Sequence, residues 1–327
     1  MRAAWFERFG PAREVLRVGE LPDPEPGPGE VLVEVHASGV NPSDVKKRAG
    51  SAPNLLADGP VIPHSDGAGR IVAVGAGVSE SRIGERVWVY QAQYGRRFGT
   101  AAELVALDSA RAARLPEPAS FDVGACMGIP AMTAHRTVFA DGPVERQRVL
   151  VTGGAGRVGH YAIQWASQAG AFVVATASNT ADEQACRAAG AVDVVDHREA
   201  GWGRRVLDAT GGEKVDRVID VEFGANLGEV LDCIETSGTI ATYASMQQPE
   251  PRLPFPRMLY MDLNIRIVIV YAMPEPAKQA AIADIESALR ENRLQHRVSA
   301  RLPLDEIARS HELVERGVRG CVLVGLR

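Results

Sequence analysis

The sequence predicts a two-domain α/β protein: a strand-rich first domain, then a doubly wound parallel sheet. Three observations carry this reading. The chain has 327 residues, more than one hydrophobic core ordinarily organises. Residues 1–125 hold short alternating runs punctuated by Gly and Pro, which suits a folded-over antiparallel barrel. From Val149 onward strand-like and helix-like runs take turns, the rhythm of βαβ units, and that rhythm starts with the glycine-rich stretch VLVTGGAGRVG at Val149–Gly159.

Each element follows from its residues. Glu30–Ala37 alternates as a half-buried strand does, and Pro22, Pro24, Pro26 and Pro28 keep the approach to it irregular. Gly67–Gly77 holds a second strand and Arg86–Tyr90 a third. Phe121–Phe139 reads as a helix broken at Pro130. Strands are then expected at Val149–Thr152, Phe172–Ala175, Val192–Val195, Arg217–Asp220, Gly238–Tyr243 and Ile265–Tyr271, with helices between them at Val158–Ala169, Thr180–Ala189, 202–209 and Leu227–Ile234. Pro249–Pro256 reads as a lid-like loop. Ala277–Glu291 and Leu304–Arg316 are helical and Gly320–Val324 is a short strand. The expected boundaries are 1–125, 126–272 and 273–327, the last segment returning to the first domain.

Composition narrows the partners. A formal net charge of -5 and a sequence pI near 5.9 offer no basic stripe for nucleic acid. No apolar run is long enough for a membrane span, and the N-terminus lacks a signal core, so a cytoplasmic location is expected. Cys126, Cys186, Cys233 and Cys321 are scattered and read as free, buried thiols.

The glycine stretch follows a strand and opens a helix, the context in which G-x-G-x-x-G binds a dinucleotide. Gly154 is expected to make the tight turn, Gly156 to admit the pyrophosphate and Gly159 to let helix and sheet approach. The loop residues Gly153, Ala155, Arg157 and Val158 complete the phosphate cradle at the helix start. The next strand runs into Ala175-Thr176-Ala177-Ser178-Asn179, with no acid to hold a ribose 2′-hydroxyl. NADP is therefore favoured over NAD, with Ser178, His197 and Arg198 as candidates for the 2′-phosphate. Tyr243 and Tyr271, at two strand ends, join the expected cofactor contacts.

Several long stretches share one pattern: Gly39–Asp44, Ile62–Gly69, Gly84–Val87, Gly128–Ala134, the glycine loop and Asp196–Glu199. In these the chain resembles the zinc-independent quinone oxidoreductases of the medium-chain dehydrogenase/reductase superfamily, close to the zeta-crystallins. The resemblance implies a GroES-like β-barrel catalytic domain, a Rossmann cofactor domain with a cleft between them, NADPH, and a homodimer joined through the cofactor domains. It makes Asn41 the candidate donor to the acceptor oxygen, with Thr133 behind the nicotinamide. Lys46 stands where the resembled sequences tend to carry a tyrosine; it reads as a cationic partner to the acceptor or as a solvated charge. Tyr94 is a substitute aromatic wall, and His64 lies near the expected acceptor pocket.

No metal is expected. A catalytic zinc wants three protein ligands and an open fourth position. Zinc-dependent relatives place Cys where Asn41 stands, Ser65 follows His64 in place of a glutamate, and Cys126 comes too early to serve. Without a Lewis acid, an already polarised acceptor suits the site: a quinone, or alternatively an enone, 2-alkenal or enoyl thioester. A dinucleotide-binding protein without turnover is a third reading, and an alcohol dehydrogenase a fourth.

Overall fold

In the computed structural model, which describes residues 1–327, the chain divides into two compact units. The first comprises Met1–Ile129 and Ile282–Arg327, the second Pro130–Ala281.

The first unit opens with β1 (Arg2–Trp5), a single turn α1 (Ala12–Val15), and β2 (Arg17–Glu20), which pairs antiparallel with β1. β3 (Glu30–Val40) buries alternate side chains as far as Ala37 and then every one through Val40. One face of its first half is wet; its end is covered on both sides. α2 (Pro42–Lys46) starts at once, with Pro42 in the first helical position, where its missing N–H costs nothing. The chain continues through β4 (Asp66–Val74), β5 (Arg86–Val89), β6 (Leu104–Asp108), β7 (Ala112–Arg114) and α3 (Phe121–Gly124), whose first turn is capped by the Ser120 hydroxyl accepting from Val123 N–H at 3.2 Å.

The second unit begins at Pro130, inside a wide turn (Met127–Ala131) that breaks the helical run where the ring requires it. After α4 (Met132–Phe139) come β8 (Arg148–Val151), α5 (Arg157–Gln168), β9 (Phe172–Ala177), α6 (Thr180–Ala188), β10 (Asp193–Asp196), α7 (Trp202–Ala209), β11 (Val215–Asp220), α8 (Phe223–Cys233), β12 (Ile234–Thr242), α9 (Phe255–Tyr260) and β13 (Asn264–Ile267). The six strands are all parallel in the order β10-β9-β8-β11-β12-β13. Counted from β8 this is 3-2-1-4-5-6, the doubly wound order with its switch point beside the first strand. Leu150, Val174, Val218 and Ile240 from the sheet pack with Trp202, Val206, Leu227 and Leu231 from the helices. Each such buried side chain contributes about 1.5–3 kcal/mol. The expected strand Ile265–Tyr271 ends early: β13 stops at Ile267, and Tyr271 sits in a tight helical turn, Val270–Ala272. The segment expected as a loop up to Pro256 gives way to α9, which takes Pro256 in its first turn.

α10 (Glu275–Arg290) then leads into β14 (Val298–Pro303), α11 (Ile307–Glu315) and β15 (Cys321–Gly325). β15 pairs antiparallel with β3, and the sheet runs β14-β15-β3-β4-β5-β7, with β6 also on β3. The C-terminal segment thus completes the first unit. α11 is tied down by Arg13 on Glu312 at 2.5 and 3.0 Å, by an Arg48–Glu315 ion pair, and by a contact between His311 and His64.

Candidate active site

The chemistry-bearing residues form two groups, one in each unit.

In the second unit the loop after β8 is shaped by its glycines. Gly153 takes φ +59°, so the left-handed turn falls there and not at Gly154. A Cβ on Gly154 would lie 2.8 Å from both Cys186 Sγ and Ile163 Cδ1; on Gly159 it would lie 2.5 Å from the Gly153 carbonyl oxygen. Gly154 therefore packs the loop onto the sheet and Gly159 packs α5 onto the loop. At Gly156 a Cβ would meet only the Gly153 oxygen, at 3.1 Å. The loop is held from below: Gly153 N–H donates to Thr176 Oγ1 and Gly154 N–H to Thr176 O, both at 2.9 Å. Thr152 Oγ1 donates to Asp220 Oδ1 at 2.6 Å and accepts from Val221 N–H at 3.0 Å. Burial raises the Asp220 carboxyl above its ordinary range, against hydrogen bonds from Thr152 and Asn226. The flat loop and the start of the twelve-residue helix α5 suit a dinucleotide pyrophosphate.

Ala155 is buried, while Arg157 and Val158 are half-buried at the start of α5. Ser178 is half-buried just past β9, and Asn179 caps α6 through Asp182 N–H at 2.9 Å. No carboxylate ends β9. Arg198 is exposed and folds back on Asp196, with contacts of 2.6–3.2 Å that hold the Asp196 carboxylate well below its usual range. His197 and Tyr271 are half-buried. Tyr243 is half-buried past β12, and desolvation raises its phenol. Thr133 is buried in the first turn of α4.

In the first unit, Asn41 is buried at the end of β3 as the N-cap of α2. Its Nδ2 donates to Asp66 Oδ2 at 2.7 Å, and its backbone N–H donates to Asp44 Oδ2 at 2.8 Å. Ile129 N–H also donates to Asp66 Oδ2, at 2.8 Å. Asp66 Oδ1 abuts Gly128 so closely that a Cβ there would lie 2.0 Å away. Lys47 Nζ donates to Gln93 Oε1 at 2.8 Å and reaches Ser65 Oγ at 3.4 Å. Burial raises Asp44 to about 6, moderated by Lys47, and Asp66 to about 8. Burial thus holds the Asp66 proton more firmly than that of Asp44.

His64 departs from its expected place. It is fully buried with φ +77°, and burial lowers its pKa to about 3, so it is neutral. Thr100 Oγ1 donates to Asp66 O at 2.6 Å and therefore accepts from Ser38 Oγ at 2.8 Å; Ser38 in turn accepts from His64 Nδ1–H at 2.8 Å. His64 Nε2 is left to accept from His311 Nε2–H at 2.9 Å, the two rings stacking. The imidazole that the sequence suggested for the acceptor pocket is a packing residue that docks α11. Lys46 is exposed on the outer side of α2, and Tyr94 is 44% exposed. Asp66 and Lys47 were not among the expected site residues. The spacing of Asp44 and Lys47, three apart on a helix, was the available signal.

The residues do not suit a zinc ion. Both His64 nitrogens are engaged, the Cys126 thiol donates to Asp122 O at 3.3 Å, and no group of three His, Cys, Asp or Glu side chains is arranged to hold a metal. No helix is long and apolar enough to cross a membrane.

Comparison with known proteins agrees with both halves. Residues 27–117 match the alcohol dehydrogenase GroES-like domain, and residues 158–287 match the zinc-binding dehydrogenase family. A quinone oxidoreductase of Pongo abelii is 31% identical over 322 residues, spanning 97% of this chain and 94% of that protein. A solved NAD-dependent alcohol dehydrogenase superposes with a TM-score of 0.89 at 29% identity over 100% of both chains. A mycobacterial protein solved with NADPH gives 0.87 at 28% identity, over 99% of this chain and 100% of that one. With a parallel-sheet unit built to take a dinucleotide and a GroES-like unit whose residues do not form a zinc site, the chain belongs to the medium-chain dehydrogenase/reductase superfamily, in its zinc-independent quinone oxidoreductase branch.

Proposed function

We propose that this protein reduces quinone-type acceptors with NADPH. The observation that carries the reading is the Asn41–Asp66 pair. A buried carboxyl holds an amide donor at the position where zinc-dependent relatives place a metal ligand. An amide fixed in this way donates to a carbonyl oxygen without reorganising as charge develops. A quinone suits that modest polarisation, because its carbonyl is already activated.

Bound NADPH supplies the hydride. Gly153–Gly159 and the start of α5 would hold its pyrophosphate, and Ser178 its 2′-phosphate. The absence of a carboxylate after β9 favours the phosphorylated cofactor, since an acid there would repel the extra charge. Arg198 contributes to that site only by leaving Asp196. Asn41 orients the acceptor, and Thr133 is assigned to the nicotinamide.

The second unit also offers an edge. β13 is the last strand of its sheet, with Ile267 81% exposed and Tyr260, Leu259 and Ile269 beside it in the sequence and open to solvent. A bare apolar edge of this kind is a liability unless covered. A second copy placing its own β13 antiparallel across a two-fold axis covers both, and sedimentation velocity should show a dimer.

The activity test is NADPH oxidation with 1,4-benzoquinone, 9,10-phenanthrenequinone and 1-octen-3-one, alongside NADH and an Asn41→Ala variant. Quinone turnover preferring NADPH, lowered about a hundredfold or more in the variant, supports the reading. Turnover of the enone alone moves the function to activated alkenes. Dinucleotide binding with no turnover supports a binding protein.

A further inference from the structure

The cluster around Asn41 contains an ammonium that orienting the acceptor does not require. Lys47 follows Asp44 by one helical turn, so the two share a face, whereas Lys46 points about 160° away from Asp44. Asn41, Asp44, His64, Ser65 and Asp66 are all buried, but Lys47 remains partly exposed. It is thus the charged member of the cluster least removed from solvent. Its Nζ is aimed by two neutral dipoles, Gln93 Oε1 at 2.8 Å and Ser65 Oγ at 3.4 Å. The charged groups acting on it are Asp44 on its own helix and Asp66 on β4, and the buried, neutral His64 just before β4 faces it as well.

We propose that Lys47 is the general acid of this site, giving its proton to the acceptor oxygen that hydride addition leaves negative. The inference rests on the reductase reading above. The balance is simple. A hydride from the reduced dinucleotide delivers two electrons and one hydrogen to the quinone, and one quinone oxygen becomes an oxyanion. An N–H bond of Lys47 breaks and an O–H bond forms on that oxygen. The electron pair stays on Nζ as a neutral amine, which solvent protonates again. Burial pulls the lysine below its ordinary value, opposed by the two carboxyl groups, which eases the release of its proton. The carboxyl groups of Asp44 and Asp66 keep the cation resident.

The test separates this from the reductase reading. Wild-type protein with bound NADP+ is titrated with 4-nitrophenol, a redox-inert phenol whose oxygen resembles the hydroquinone anion, and phenolate absorbance is followed across pH. The bound phenol should ionise about one pH unit lower than the free phenol in wild type and in Lys46→Met, and at its ordinary value in Lys47→Met. Lys47→Arg should keep the shift, because charge is retained, yet lose turnover, because guanidinium does not release a proton. In Lys47→Met, kcat for 1,4-benzoquinone should fall about a hundredfold, with KM little changed. Absence of a shift in the wild type overturns the proposal whether or not any variant folds. Wild-type turnover matched by Lys47→Met overturns the proposal alone. A wild type that turns over neither quinone nor enone overturns the reductase reading and the proposal with it.

Discussion

The glycine loop of the second unit and the Asn41 cluster of the first are built in opposite ways. The loop works by missing side chains: Gly154 and Gly159 leave room for thiol, methyl and carbonyl neighbours at under 3 Å from where a Cβ would be. The cluster works by burying charge: two carboxyls, a lysine and an amide share one interior, and the fold sets which of them is ionised. The first depends on residues within one short stretch. The second joins Asn41 to Asp66 across 25 positions and to Ile129 through a carboxyl 63 positions away from it. A local device is broken by adding atoms, and a dispersed one by moving a charge.

The largest expected effect breaks the local device. Gly159→Val places its branched side chain against the Gly153 carbonyl and the Gly154 Cα, and should weaken dinucleotide binding by about a thousandfold, measured calorimetrically. Binding within tenfold of wild type would show that the loop yields. Gly128→Ala is the matching test of the cluster. Its methyl collides with Asp66 Oδ1, so kcat should drop about a hundredfold, as a misplaced reacting group implies, while dinucleotide affinity holds. Equal losses in both quantities would contradict the division of labour. Smaller still is Ser178→Asp, which should cut the preference for NADPH over NADH by about tenfold, or about 1.4 kcal/mol. An unchanged ratio in steady-state kinetics would remove Ser178 from the phosphate site.

The gentlest probe uses pH. Asp66 keeps its proton in the folded chain up to about pH 8 but ionises near the ordinary carboxylate value of 3.8 when unfolded. Its contribution therefore turns increasingly unfavourable as pH rises between those values. His64 has the opposite sign: neutral down to about pH 3 when folded and ordinary at 6.5 when unfolded, it contributes fully above 6.5 and loses that contribution as pH falls toward 3. Between pH 6.5 and 8 the Asp66 effect is not offset by His64. Stability should decline there by up to about 1.4 kcal/mol per pH unit, a few degrees in Tm. Asp66→Asn, whose amide oxygen accepts the same two N–H bonds, should flatten this decline. Parallel melting curves for the two proteins would place the proton elsewhere.

Much of the architecture was legible because its signals are periodic and local. The βα rhythm from Val149 announced the parallel sheet, and VLVTGGAGRVG announced its loop, although the left-handed turn belongs to Gly153 and not Gly154. Tyr271 was read one element too far, since an apolar run does not reveal where a strand stops and a tight turn begins. In the first unit the sequence pointed to Asn41 and left Lys46 as either a cationic partner or a solvated charge; the structure exposes Lys46 and turns Lys47 toward Gln93 and Ser65. His64 read as a structural histidine near the acceptor pocket, but nothing near it in sequence shows that His311, 247 residues on, stacks against it.

By itself the sequence determined the alternation that makes the strands, the glycines that shape the dinucleotide loop, and the lack of an acid after β9. Each is a property of neighbouring residues, and backbone sterics act over that range. Only the tertiary structure decided that Asp66 holds Asn41, that burial raises both Asp44 and Asp66, and that Lys47 reaches Ser65 and Gln93 beside them. Those outcomes depend on which groups are removed from water together, and desolvation is a property of the folded interior that no short stretch of chain contains.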